Sequence, residues 1–312
     1  MEDFSFFRNF CNLDTLRILF PVNHIEQLWP LEEEEEDFDF DNYEYANDEV
    51  VTPERKLRSA VFKKLAQIHL GHGFTVKHLE LQNILPVPHA GMHADGLLSF
   101  LKSVVTLNIS IAEVDSDVEI AADPTADDFY EIFKSEVTTL LKAPTTLESI
   151  TYKGDRYAHG LDDLQWDGLW YPHLKCLCLE DVVFDNNSTE SQHKVTRFIL
   201  RHSSTLQELR MRSCMIDAEN APDIVTWTEL FGVFKNNLES LRKFTFEPLP
   251  GRHEDDENEF RGYAFWGTEG GFSEYSEAEY GDPADAAADR QALVLFQAQL
   301  LQRMPWEVAR RY

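Results

Sequence analysis

The sequence predicts an α/β fold, an irregular solenoid of parallel strands and helices interrupted by acidic loops. Three observations predict it. A triplet of apolar positions (apolar, two residues, apolar, one residue, apolar) recurs seven times along the 312 residues. The stretches between the triplets carry helical periodicity. Acidity is concentrated rather than spread: Asp and Glu outnumber Lys and Arg 56 to 28. Residues 31–50 hold eleven acids and no Lys or Arg, and residues 250–290 hold twelve acids against three arginines, so these two segments carry −20 of the formal −28.

The triplets are Leu13/Leu16/Ile18, Val76/Leu79/Leu81, Val104/Leu107/Ile109, Leu147/Ile150/Tyr152, Leu174/Leu177/Leu179, Leu206/Leu209/Met211 and Leu241/Phe244/Phe246. Their starts lie 63, 28, 43, 27, 32 and 35 residues apart, near the period of a leucine-rich repeat, and the 63-residue gap contains the first acidic segment. The copy Leu206-x-x-Leu209-x-Met211-x-x-Cys214-x-Ile216 follows that template furthest, and Cys214 there is expected to be buried. Since side chains alternate across a strand, the second and third triplet positions should face the core and the residues between them the opposite side.

Between the triplets, Thr52-Pro53 opens a helix carrying Leu57, Val61, Leu65 and Ile68, with Gly71 as its stop. Residues 126–142 place Phe129, Ile132, Phe133, Val137 and Leu140 on one stripe. Thr189-x-x-Gln192 and Thr226-x-x-Glu229 read as capping boxes ahead of Val195/Phe198/Ile199 and Trp227/Leu230/Phe231/Phe234. Asp282-Pro283 begins a last helix through Leu293, Phe296 and Leu300, expected to cover the open end of the stack. The expected organisation is a leucine-rich-repeat-like solenoid over 1–249 with a disordered acidic insertion at 31–50, an acidic flexible loop at 250–282, and a capping helix at 283–312.

Composition excludes several classes. With 43% hydrophobic residues and 22 Phe the chain can pack a core. A charge of −28 opposes phosphate backbones and anionic lipid, so neither nucleic acid nor membrane is expected as a partner. No apolar run approaches a membrane span. Met1-Glu2-Asp3-Phe4 lacks the basic and apolar regions of a secretory signal. Four cysteines are too few for a disulfide scaffold. A cytoplasmic or nuclear monomer is the expectation.

The run Tyr171-Pro172-His173-Leu174-Lys175-Cys176-Leu177-Cys178-Leu179, followed after a helix by Phe198-Ile199-Leu200-Arg201-His202-Ser203-Ser204-Thr205-Leu206-Gln207-Glu208-Leu209, resembles fungal F-box/leucine-rich-repeat proteins. The resemblance covers about residues 146–246 and implies a protein-recognition scaffold of the ubiquitin pathway. No F-box is evident before Leu13, so recruitment of a ligase adaptor is not implied, only the recognition half. Two alternatives stand beside it: an acidic, chaperone-like binder of basic proteins such as histone or ribosomal tails, and an unrecognised hydrolase.

Catalytic residues, a cofactor and a metal are not expected. There is no Gly-x-Ser-x-Gly elbow, no P-loop and no Gly-rich turn after a strand. Cys176 and Cys178 share a face but lack the second pair of a zinc site. His69-x-x-His72 and His89-x-x-x-His93 with Asp95 have ligand-like spacing without a metalloprotease arrangement. The candidate site is therefore the polar side of the sheet: His78, Glu80, Asn108, Thr151, Lys153, Glu180, Glu208, Arg210, Arg212 and Lys243 as partner-binding residues. Arg210 and Arg212 are its expected anchors, since a guanidinium grips a carboxylate with two hydrogen bonds.

Overall fold

The computed structural model describes residues 13–21, 53–86, 89–112, 124–154, 164–184, 194–217, 225–248, 262–266, 272–274 and 286–303. In chain order the elements are β1 (Thr15–Leu19), α1 (Pro53–His72), β2 (His78–Ile84), α2 (Asp95–Leu101), β3 (Thr106–Ile111), α3 (Pro124–Lys142), β4 (Ser149–Lys153), β5 (Cys176–Glu180) and β6 (Val183–Phe184). They continue as α4 (Lys194–Arg201), β7 (Glu208–Arg212), β8 (Met215–Asp217), α5 (Trp227–Asn237), β9 (Lys243–Glu247), β10 (Tyr263–Trp266), β11 (Phe272–Glu274) and α6 (Ala286–Arg303).

Every apolar triplet meets a strand, and these strands form one sheet in the order β1-β2-β3-β4-β5-β7-β9. All its pairs are parallel. The register aligns the triplets laterally: Leu16, Leu79, Leu107, Ile150, Leu177, Leu209 and Phe244 form one row, and Ile18, Leu81, Ile109, Tyr152, Leu179, Met211 and Phe246 the next. Apart from the half-buried Ile18, both rows are buried, in one core with Phe62 and Leu65 of α1, Phe133 and Val137 of α3, Phe198 and Ile199 of α4, Trp227 and Phe231 of α5, and Phe296 of α6. A slip of one residue would turn each strand's apolar pair outward, so the register is strongly specified.

Asp181 and Ser213, each the first residue after a strand of this sheet, have φ of 52° and 49°. These left-handed residues turn the chain out of the main sheet into β6 and β8. Those two strands join β10 and β11 in a second sheet, β11-β10-β8-β6. At the equivalent place after β4 stands Gly154, whose amide donates to Glu180. A Cβ there would lie 2.4 Å from the Asp181 carbonyl oxygen, so only glycine fits without a shift of the backbone.

The expectation of a leucine-rich-repeat-like solenoid is corrected to an α/β fold whose parallel sheet is built of alternating strand and helix units. The physical reason is that the units are not copies of one another. Their helices run to 20, 7, 19, 8 and 11 residues, and a second sheet with an antiparallel pair, β10 with β11, lies outside the alternation. That pair also falls inside 250–282, where a flexible loop was expected. The aromatic run Tyr263-Ala264-Phe265-Trp266 has strand propensity, and Tyr263 and Ala264 are buried. Gly71 does not end α1: Gly73 does, at φ +64°, its amide donating to His69 across 2.7 Å. The Thr226 capping box is formed, with Glu229 returning to the Thr226 amide. The insertion at 31–50, the Thr189–Gln192 box, Asp282-Pro283 and the side chain of Phe129 lie outside the described residues.

Buried polar groups tie α6 down. Asp289 accepts from the Thr228 amide and hydroxyl and from the Tyr263 hydroxyl, each across 2.6 Å. Phe296 packs on Phe244 with ring centroids 4.8 Å apart. No helix among the described residues is long and apolar enough to cross a membrane.

Candidate functional site

The residues between the apolar rows form the other face of the main sheet, and the same register aligns them. His78, Thr106, Ser149, Cys176, Glu208 and Lys243 lie side by side, and Glu80, Asn108, Thr151, Cys178, Arg210 and Thr245 form the next row. The third runs through Ser110, Lys153, Glu180, Arg212 and Glu247. All ten candidate residues are therefore on one face, half-buried or exposed. The middle of the face, on β3 and β4, is hydroxyl and amide. The flanks are charged.

The charges are engaged with each other. Glu208 accepts from Arg210 at 2.6 Å and pairs with Lys243 at 3.0 Å. Arg212 bridges Glu247 at 2.8 Å and Glu180 at 3.0 Å. Lys153 lies 3.8 Å from Glu180 and 3.5 Å from Asp181. At the other edge Arg17 reaches Glu80 at 3.2 Å and donates to Gln82, which donates in turn to Glu80. Burial pushes the Glu208 carboxyl up, but the hydrogen bonds from Lys243 and Arg210 outweigh it and hold the group below the usual range. The hydrogen bond to Glu208 raises Arg210, and the one to Glu247, with the Glu180 charge, raises Arg212. The two arginines expected as anchors for a partner's carboxylates thus already hold carboxylates of this chain. Glu208 is two residues from Arg210 on the same strand, whereas the partners of Arg212 lie 32 and 35 residues away on β5 and β9, where the lateral register places them beside it. Arg17 and Asp181 also form ion pairs with residues of this face and were not among the expected residues.

Cys176 and Cys178 share this face, half-buried and free. Burial, and then the nearby Glu208 and Glu180 respectively, raise both thiols, which keeps them protonated and poorly nucleophilic at neutral pH. Cys214 is fully buried, its thiol raised by that burial and donating to the Leu179 carbonyl. Of the histidines of the ligand-like spacings, His69, His89 and His93 are engaged in the protein, and His72 is exposed. His69 bonds the Phe74 carbonyl through Nδ1 and the Ser99 hydroxyl through Nε2. The His89 amide and His93 Nε2 both reach the buried carboxylate of Glu136, at 2.8 and 2.9 Å. Glu136 is 43 residues from His93 on a different element, and no sequence spacing connects them.

His202 is the most constrained of the set. Its Nε2 accepts the Tyr171 amide at 3.0 Å, and its Nδ1 donates to the Phe198 carbonyl at 2.8 Å. That arrangement requires the neutral imidazole, and burial lowers its pKa accordingly. It holds the turn before β5 against the end of α4 and is a packing element.

No family model matches the chain, and no curated protein matches it. Among solved structures, a 3-keto-D-glucoside 4-epimerase from E. coli is similar at 10% identity, over 78% of this chain and 87% of that one, with a TM-score of 0.28. A D-psicose 3-epimerase, solved in the presence of D-fructose, is similar at 13% identity, over 79% of this chain and 86% of that one, with a TM-score of 0.30. Both are epimerases, not leucine-rich-repeat or F-box proteins. The resemblance to the fungal F-box/leucine-rich-repeat family is withdrawn with this finding, and with it the recognition-scaffold function and the ubiquitin-pathway connection drawn from it. Neither epimerase contributes to the assignment of substrate or chemistry.

Proposed function

We propose that the protein is a non-enzymatic binder of basic proteins, holding lysine- and arginine-rich segments of the kind found in histone or ribosomal tails. One observation carries the reading: the distribution of charge. The cations of the sheet face are matched by carboxylates of the same face, while residues 31–50 and 250–290 carry −20 of the −28. Acid that is concentrated and unmatched by local cations sets up a field that attracts basic partners and repels nucleic acid and anionic lipid. A segment drawn in this way and reaching the sheet would find Glu80, Glu180 and Glu208 as carboxylates and Asn108 and Thr151 as neutral partners. Its cations would exchange with Lys153, Lys243, Arg210 and Arg212. His78, at the exposed end of the first row, completes that surface. The protein acts as a monomer in the cytoplasm or nucleus, where such tails occur, and needs no cofactor.

Fluorescence anisotropy with a labelled Lys/Arg-rich peptide tests the proposal. Affinity should fall about tenfold or more between roughly 50 and 300 mM salt, because exposed charges are screened over that range. A variant with the acids of 31–50 replaced by Asn and Gln should bind several-fold more weakly. Absence of binding at low salt, or binding unchanged by salt and by that replacement, would overturn it.

A further inference from the structure

The amino-terminal ends of β5, β7 and β9 enclose a cleft of about 530 Å³. The residues just before each strand, Lys175, Gln207 and Arg242, stand side by side there, linked by backbone hydrogen bonds from the Gln207 amide to the Lys175 carbonyl and from the Arg242 amide to the Gln207 carbonyl. Leu174, Leu206 and Leu241 beside them are buried. His173 lies on the β5 side, and Arg303 reaches in from α6. The charge of the lining runs against that of the chain. Twice as many acids as bases make up the whole sequence, yet the cleft has Lys175, Arg242 and Arg303 against the single carboxylate of Glu239.

These cations differ in how free they are. Lys175 pairs with Glu148 at 2.7 Å on the rim. Arg303 donates to the carbonyls of Lys235 and Leu238, fixing its head over the last turn of α5, and three of its five N–H donors remain. Arg242 and His173 make no side-chain hydrogen bond or ion pair among the described residues. The cleft thus combines one anchored guanidinium, one free guanidinium, a free imidazole and the amide of Gln207.

We propose that this cleft binds a small phosphate ester. Guanidinium groups match a phosphate's oxygens with parallel hydrogen bonds, and the volume exceeds a bare ion, leaving room for an organic remainder against Gln207 and the hydroxyl of Ser204. The site is separate from the acidic segments that would hold a basic protein, and does not depend on that reading.

Isothermal titration of the full chain with inorganic pyrophosphate, at constant ionic strength, tests the assignment. Saturable binding is expected, weakened about tenfold or more in Arg242→Gln and also in His173→Ala. The thermal midpoint of both variants should stay unchanged, because neither side chain has a partner to lose. Lys63→Gln, on the exposed side of α1, removes the same charge elsewhere and should leave binding intact. The proposal is overturned if pyrophosphate gives no saturable heat, if Arg242→Gln binds as well as the parent, if Lys63→Gln loses as much as Arg242→Gln, or if citrate binds and pyrophosphate does not.

Discussion

Leu209 and Arg210 are neighbours on β7 and end in opposite surroundings. Leu209 is fully buried between Leu177 and Phe244, while Arg210 lies exposed on the polar face and pairs with Glu208. The same contrast repeats along every strand of the main sheet, so one backbone carries two faces held by different physics. The apolar face gains from removing hydrocarbon from water, an effect that salt does not screen. The polar face is joined by ion pairs that water and salt weaken. Stability should follow from the first face, while the second can change residues with little effect on folding.

The largest expected effect breaks the buried side. Leu209→Ala should cost about 2–5 kcal/mol in urea unfolding, the range for deleting a buried leucine and leaving a cavity. A loss below about 1 kcal/mol would mean that the row is not close-packed.

A second test separates the faces by pH. His202 is held neutral with a lowered pKa, so between that value and the ordinary histidine value of about 6.5 the unfolded chain binds a proton that the native chain does not. Its contribution is complete above about pH 6.5 and is lost as pH falls through the folded value. Glu208 is also lowered, but its contribution is present above the ordinary glutamate value of about 4.3 and is lost only below it. Denaturation followed from pH 7.5 to 5 should therefore show a downward slope that disappears in His202→Phe and persists in Glu208→Gln. The reverse pattern would place the pH sensitivity on the polar face.

The smallest effect belongs to the ion pairs. Arg212→Ala, although it removes contacts to both Glu180 and Glu247, should change stability by only about 0–1 kcal/mol, and less in high salt. A cost comparable to Leu209→Ala would mean that the two faces do not differ in the way described.

How much of this was legible varies with the range of the interaction. The strands at Leu79/Leu81, Leu177/Leu179 and Leu209/Met211 could be read because period-two alternation is local, and the Thr226–Glu229 box because its groups are three residues apart. The ten face residues could be assigned to one side of the sheet for the same reason. Their lateral pairing follows from the same alternation: with the triplets aligned, Lys153, Glu180, Arg212 and Glu247 fall in one row and Glu208 beside Lys243. Reading Arg210 and Arg212 as anchors for a partner followed from residue type, whereas Arg210 is taken up by Glu208 of its own strand and Arg212 by Glu180 and Glu247 of the strands on either side. Gly71 was read as the stop of α1 from residue type alone, whereas the positive φ that ends the helix falls at Gly73. The resemblance to a repeat family rested on the apolar triplet, which any half-covered parallel strand needs and which therefore does not identify a family.

By itself the sequence determined which segments become the strands of the main sheet, which side of each faces the core, and where the acid lies, because these depend on residues within a few positions of one another. Only the tertiary structure decided that β6, β8, β10 and β11 leave the main alternation for a second sheet, through the turns at Asp181 and Ser213. It alone placed Glu136 beneath His93. It alone gathered His173, Lys175, Gln207, Arg242 and Arg303 into one cleft. These contacts join residues tens of positions apart, and they depend on how turns and helices pack against the sheet, which no local pattern encodes.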